Sequence, residues 1–211
     1  MIDPKFDFFL SRFSLFISLT DEEKQLFINR IRVVTVKKGT FLLKEGTIST
    51  HSYFVNKGLA RIYHINKEGN EIISFFALEG WWANDLESFC TQTPSKKFIE
   101  VLEDSELFII SHTDYEQSFI DIPKFERYWR IIGVNSYLAH IKRLEEFQEL
   151  SAVKRYKQFI KKYPELESRT KQKYIASYWV LLRNRSVLSK RSSLKKNNSL
   201  RFLIGNVSKS S

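Results

Sequence analysis

The residues best suited to metal or nucleophile chemistry are few: four histidines, His51, His64, His112 and His140, and one cysteine, Cys90. A metal-dependent enzyme built in a β-barrel needs about three histidines and a carboxylate converging inside it. No two of these histidines stand in a His-x-His or His-x-x-x-His pair, and His140 falls in a helical stretch outside any barrel. They read as surface or strand residues. Cys90 lacks the local surroundings of a catalytic thiol, and the chain has neither a glycine-rich phosphate loop nor a Gly-x-Ser-x-Gly elbow. No enzymatic activity, metal or cofactor is expected. A lone cysteine also excludes an internal disulfide and fits a reducing, cytoplasmic setting.

What remains is electrostatic chemistry. The formal charge is +10, and it is unevenly placed. Residues 1–167 hold 23 basic and 24 acidic side chains, whereas the 44 residues after Glu167 hold 11 basic ones and no acid. A basic end on a near-neutral body points to two parts with different partners, the basic one suited to nucleic acid.

The elements that must position these charges change character along the chain. At 43% hydrophobic and 15% aromatic, the 211 residues can pack a core. No apolar run reaches the roughly 18 residues of a membrane span, and Asp3, Asp7 and Arg12 interrupt the N-terminal apolar stretch, so no signal peptide is expected. Thr20 followed by Asp21, Glu22 and Glu23 caps a short helix ending near Asn29. Gly39, Gly46, Gly58, Gly69 and Gly80 then punctuate segments rich in Val, Ile, Phe and Tyr, the pattern of a β-sandwich or barrel. The expected strands are 31–36, 40–44, 52–56, 59–65, 71–77, 98–103 and 106–111. Within the fourth, Leu59, Arg61 and Tyr63 alternate with Ala60, Ile62 and His64, as in a half-buried strand.

From Pro123 the period becomes helical. Ile131, Val134, Leu138 and Ile141 recur at spacings of three, four and three, with Leu144 and Phe147 continuing a neighbouring stripe. An amphipathic helix of this length beside a compact sheet domain predicts a homodimer seam. Ser151 caps a further helix through Val153, Tyr156 and Ile160, which Pro164 closes, and Tyr174, Ile175 and Tyr178 form another beside Lys171 and Lys173. Two short helices about a proline turn, leading into a basic segment, have the look of a helix-turn-helix.

The runs Ser151-Ala152-Val153-Lys154-Arg155-Tyr156, Tyr163-Pro164-Glu165-Leu166 and Gln172-Lys173-Tyr174-Ile175-Ala176-Ser177-Tyr178 carry a family likeness. So do Gly80-Trp81-Trp82 and Leu86-Glu87-Ser88-Phe89. Over about residues 5–178 the chain resembles the Crp/Fnr transcription regulators, of the kind common in Bacteroidetes. The resemblance implies an α+β chain with an N-terminal β jelly roll of the cyclic nucleotide-binding type, a long dimerisation helix and a C-terminal winged helix-turn-helix. The corresponding parts are 1–120, 121–150 and 151–211.

In nucleotide-binding members a Phe-Gly-Glu-Leu-type turn opens a short phosphate-binding helix, and an arginine soon after pairs with the cyclic phosphate. Here the stretch reads Trp82-Ala83-Asn84-Asp85-Leu86-Glu87, with Ser95, Lys96 and Lys97 where the arginine would fall. The resemblance therefore assigns a ligand site to Trp82, Asn84, Asp85, Leu86, Ser88, Ser95 and Lys96. Asp85 would accept a sugar hydroxyl and Lys96 would meet a phosphate. Loss of the Gly-Glu pair and the arginine argues against cyclic AMP and for an unidentified small-molecule effector, or none. It also assigns DNA phosphate contacts to Arg169, Lys171, Lys173 and Ser177, and the dimer interface to Ile131, Val134, Leu138 and Ile141.

The likeness stops abruptly after Tyr178. The family continues close to Leu-Gly-Ile-Thr-Pro-Glu-Ser and then its recognition helix; this chain has Trp179-Val180-Leu181-Leu182-Arg183-Asn184-Arg185. One permitted codon set for those residues, TGG GTA TTA CTC CGG AAT CGC, read from one base earlier, encodes Leu-Gly-Ile-Thr-Pro-Glu-Ser. The expectation is that one base is missing near codon 178, that residues 179–211 are out of frame, and that the helix-turn-helix is incomplete. An ordinary basic disordered arm is the competing reading of that tail. The protein is thus expected to be a cytoplasmic, homodimeric DNA-binding regulator with weak, nonspecific DNA affinity. The alternative is a dimeric ligand-sensing or protein-interaction module that has lost DNA binding.

Overall fold

The computed structural model describes residues 2–179. Aromatic residues organise its first part. Helix α1 (Asp7–Ser14), which the sequence reading did not single out, buries Phe9 and Phe13 at a four-residue spacing. Helix α2 (Asp21–Ile28) opens on the expected cap: Thr20 accepts from the Glu23 N–H, and Glu23 reciprocates on the Thr20 N–H at 2.8 Å.

Eight antiparallel strands follow: β1 (Arg32–Val36), β2 (Phe41–Leu43), β3 (His51–Lys57), β4 (Ala60–Ile65), β5 (Glu71–Ala77), β6 (Trp82–Ala83), β7 (Phe98–Val101) and β8 (Ser105–Ser111). They form two four-stranded sheets of order β1-β8-β3-β6 and β2-β7-β4-β5. This is the expected β-sandwich jelly roll; the two-residue β6 was too short to leave a periodic signal. Gly58 turns β3 into β4 at φ 113°, and a Cβ there would fall 1.9 Å from Ser105 Oγ, so no other residue fits without rearrangement.

Between the sheets pack Val55, Ala60, Ile62, Ile99, Val101 and Leu107. The outer face of the β1-β8-β3-β6 sheet is covered by α1, α2 and the start of the long helix, with Phe9, Phe13, Phe27, Phe54, Phe108, Phe125 and Tyr128 in one cluster. The outer face of the other sheet is covered too, by the C-terminal helices. Here the structure corrects the sequence reading of residues 59–65. Ala60, Arg61, Ile62 and Tyr63 are all buried, because the face expected to meet water lies beneath Tyr174, Ile175 and Phe159. Alternation in β4 separates two cores, not core from solvent.

After α3 (Leu86–Thr91) and α4 (His112–Asp121, capped by Ser111), the long helix α5 runs Lys124–Glu149, 26 residues. Phe125 and Tyr128 anchor its first turns in the aromatic cluster. Ser151 caps α6 (Ala152–Lys162) by accepting from the Lys154 N–H, as expected. The short α7 (Leu166–Arg169) and α8 (Gln172–Tyr178) complete the described chain. The expectations of an out-of-frame tail and of a recognition helix and wing fall on residues 179–211, of which only Trp179 lies among the described residues.

Candidate functional site

The loop after β6 is held by hydrogen bonds between short polar side chains. Ser88 Oγ accepts from the Ser49 N–H at 2.9 Å and donates to the Thr93 carbonyl at 2.5 Å. Gln92 ends α3 in the left-handed region, φ 51°, and its amide donates to the Phe89 carbonyl at 2.6 Å. This fixes the return of the chain to Ser95. The Asp85 carboxylate, 2% exposed, accepts from Ser95 Oγ at 2.7 Å through one oxygen and from Lys97 Nζ at 2.5 Å through the other. Asn84 donates to Ser52 Oγ at 3.2 Å.

The structure therefore brings Asp85, Ser88 and Ser95 into one polar cluster with Asn84 beside it. It sends the other assigned ligand residues elsewhere. Leu86 and Lys96 are exposed. Trp82 turns into the aromatic cluster, its indole N–H 3.4 Å from Tyr128 Oη and its ring 5.1 Å from that of Trp129. The cation at the carboxylate is Lys97, one residue beyond the assigned Lys96. The available sequence signal was strand parity: Lys97 immediately precedes β7, whose Ile99 faces between the sheets. His140 lies on α5. Partial burial lowers the pKa of His140, and the nearby charges of Arg143 and Lys97 lower it further.

The residues assigned to DNA divide in two. Lys171 and Lys173 are exposed, with Lys173 Nζ 5.0 Å from the Tyr174 ring centroid. Arg169 and Ser177 face the jelly roll. Arg169 bonds both carboxylates of Glu79 and Glu103 and the Gly58 carbonyl at 3.0 Å, which holds its pKa above the ordinary value. Ser177 Oγ accepts from the Ile73 N–H at 3.1 Å and donates to the Glu71 carbonyl. It acts as a strand-edge partner for β5.

Two further arginines, unmarked in the sequence reading, complete this contact. Arg61, 2% exposed, bonds Glu71 and Glu100 beneath Tyr174. Arg143 of α5 bonds the Ser74 carbonyl at 2.9 Å and the Tyr178 carbonyl, tying helix, sheet and α8 together.

Of the residues assigned to the dimer seam, Val134 and Leu138 are 49% and 56% exposed, and Leu144 beyond them 60%. Ile131 and Ile141 are half-buried. Among the described residues no group of histidine, cysteine and carboxylate side chains is placed to hold a metal ion, and no helix is long and apolar enough to cross a membrane.

Comparison with known proteins places this geometry. Residues 33–120 match the cyclic nucleotide-binding domain. No curated protein matches the chain. A Crp/Fnr-family transcriptional regulator from Eubacterium rectale superposes with a TM-score of 0.62 at 20% identity, covering 76% of this chain and 77% of that one. FixK2 from Bradyrhizobium japonicum gives 0.58 at 14% identity over 71% and 77%. The catabolite activator protein of Thermus thermophilus gives 0.53 at 18% identity over 70% of this chain and 65% of its own length. The chain therefore carries a cyclic nucleotide-binding domain over residues 33–120, within a fold shared with regulators of the Crp/Fnr family.

Proposed function

We propose that the protein is a cytoplasmic, homodimeric transcription regulator of the Crp/Fnr kind common in Bacteroidetes, with a sensor jelly roll, a dimer seam along α5 and a helix-turn-helix beginning at α6. The observation that carries this reading is the apolar stripe of α5. Val134, Leu138 and Leu144 stand open to solvent on a helix that joins the sensor to a basic helical unit. Burying such a stripe against a second copy stabilises it by roughly 25 cal/mol per Å² of apolar surface. Residues 151–179 hold eight basic side chains and two acidic ones, so the cationic character does not depend on the tail.

An effector would bind at the Asp85–Ser95–Lys97 cluster, where the Lys97 ammonium is the group suited to an anionic substituent. Both Asp85 oxygens are already engaged, which supports an effector other than cyclic AMP. Its differential affinity for two settings of α5 would be relayed through Trp82, Tyr128 and Trp129. Lys171 and Lys173 would meet phosphates directly; Arg169 and Ser177 would do so only after leaving the jelly roll.

Light scattering on the wild-type chain and on Leu138→Asp tests the reading. Dimer for the first and monomer for the second is expected, and a monomeric wild type would overturn it. The internal engagement of Arg169 and Ser177 favours one second reading, a dimeric sensing or protein-interaction module without DNA binding. An electrophoretic shift with random duplex DNA separates the two.

A further inference from the structure

Helix α6 carries a cationic face that the proposed site leaves unused. Lys154, Lys157 and Lys161 are exposed, and among the described residues none is paired with a carboxylate. Lys24, Lys37, Lys97 and Lys124 each pair with a carboxylate, whereas other exposed lysines such as Lys44, Lys57 and Lys67 do not, so what sets α6 apart is the gathering of three such lysines on one face. Residues 152–162 contain no acid at all. At 3.6 residues per turn and 1.5 Å per residue, the three lysines fall within an arc of about 60° and a length of about 10 Å. Like charges so gathered repel one another until a polyanion neutralises them.

The stripe is rigidly mounted. The buried Arg155 on the opposite side of the helix donates to the Phe147 carbonyl at 3.0 Å and the Leu150 carbonyl at 2.6 Å, and Phe159 packs into the cluster over the sheet. Its position relative to the end of α5 is thereby fixed. The same packing argues against a lipid surface, because a helix lying on a membrane needs its apolar face free, and α6 has turned Phe159, Tyr156 and Ile160 toward the jelly roll. One strand of duplex DNA presents a phosphate every 3.4 Å or so of helix axis, about three along the length of the stripe.

We propose that the outer face of α6, through Lys154, Lys157 and Lys161, is a contact for the phosphodiester backbone of duplex DNA, made while Arg169 and Ser177 remain bound to the jelly roll. The proposal rests on reading the protein as a DNA-binding regulator. The contact positions the protein on any duplex and carries no sequence information.

The test measures fluorescence anisotropy of a random-sequence duplex with the full chain over a range of salt. Two triple variants remove equal charge: Lys154→Gln, Lys157→Gln and Lys161→Gln together, and, on exposed jelly-roll positions, Lys44→Gln, Lys57→Gln and Lys67→Gln together. Circular dichroism melts confirm that both fold. The α6 variant is expected to flatten the slope of log affinity against log salt by up to about 2.7 per protomer and to weaken binding about 100-fold near 0.1 M salt. The jelly-roll variant should stay within about threefold of wild type. Equal losses in both variants, or none in the α6 variant, overturn this inference alone. A wild type that fails to bind the duplex overturns the DNA-binding reading and this inference with it. Capture by phosphatidylserine vesicles without duplex binding does the same.

Discussion

The Arg61 guanidinium is sandwiched between two rings of different parts of the molecule, its carbon 4.0 Å from the centroid of Tyr63 in the same strand and 3.9 Å from that of Tyr174 in α8. Glu71 and Glu100 hold the guanidinium edge, so the cation is bonded by carboxylates in its plane and by aromatic faces above and below. A single side chain thus joins the sensor sheet to α8 of the basic unit.

Removing that cation leaves Glu100 poorly compensated beneath α8. Arg61→Ala is expected to cost about 3 kcal/mol in denaturant unfolding. Tyr174→Ala should cost less, and the two changes together should fall short of their sum by about 1 kcal/mol, the coupling of a partly desolvated cation–π contact. Strict additivity would show that the stacking contributes nothing.

Lys96 and Lys97 should behave differently although they are adjacent and identical in type. Lys97→Ala leaves the Asp85 carboxylate buried with Ser95 alone and is expected to destabilise by about 2 kcal/mol. Lys96→Ala, at an exposed position, should stay within about 0.5 kcal/mol of wild type. Thermal melts of the two single variants decide the matter, and equal effects would show that the pair with Asp85 is not formed in solution.

The contact between the C-terminal helices and the sheet should loosen in acid. Hydrogen bonds from Arg61 hold the Glu71 pKa below its ordinary value of 4.5. Burial pushes Glu79 upward, but the bonds from Arg169 and the backbone outweigh it and leave Glu79 lowered as well. A carboxylate with a depressed folded pKa contributes stability that is present above its unfolded pKa and lost as pH falls through the folded one. Stability should therefore decline below about pH 4.5, and Glu71→Gln should remove part of that decline. Urea unfolding followed by tryptophan fluorescence, repeated between neutral pH and acid, measures it; an unchanged acid dependence in Glu71→Gln would contradict the assignment.

Trp179 is 4% exposed in the cluster over the sheet, yet its indole N–H has no hydrogen-bond partner. A buried donor left unpaired costs about 1–3 kcal/mol. Leucine, the residue that the shifted frame places there, has no such donor. Trp179→Leu is expected to match or exceed wild type in stability, and a loss above about 2 kcal/mol would mark tryptophan as the residue this core was built for. Reading the source DNA across codons 170–211 on both strands should find the extra base that restores Leu-Gly-Ile-Thr-Pro-Glu-Ser.

Local patterns determined the elements. Glycine-spaced β-branched and aromatic runs marked seven of the eight strands, Thr20 and Ser151 marked helix starts, and the helical period beginning at Pro123 marked α5, expected within 121–150, to within a few residues. Each of these rests on periodicity or capping, which neighbouring residues decide among themselves. Pairing across the fold was decided only by tertiary structure. Whether Lys96 or Lys97 meets Asp85 depends on how β7 is registered in its sheet, and whether Arg61 faces water or an aromatic ring depends on where α8 comes to rest, more than a hundred residues along the chain. Arg169 and Ser177 look like phosphate ligands in sequence because short motifs record side-chain type. The sheet edge and the carboxylates of Glu79 and Glu103 that claim them are supplied by distant segments, and nothing in the local sequence encodes that meeting.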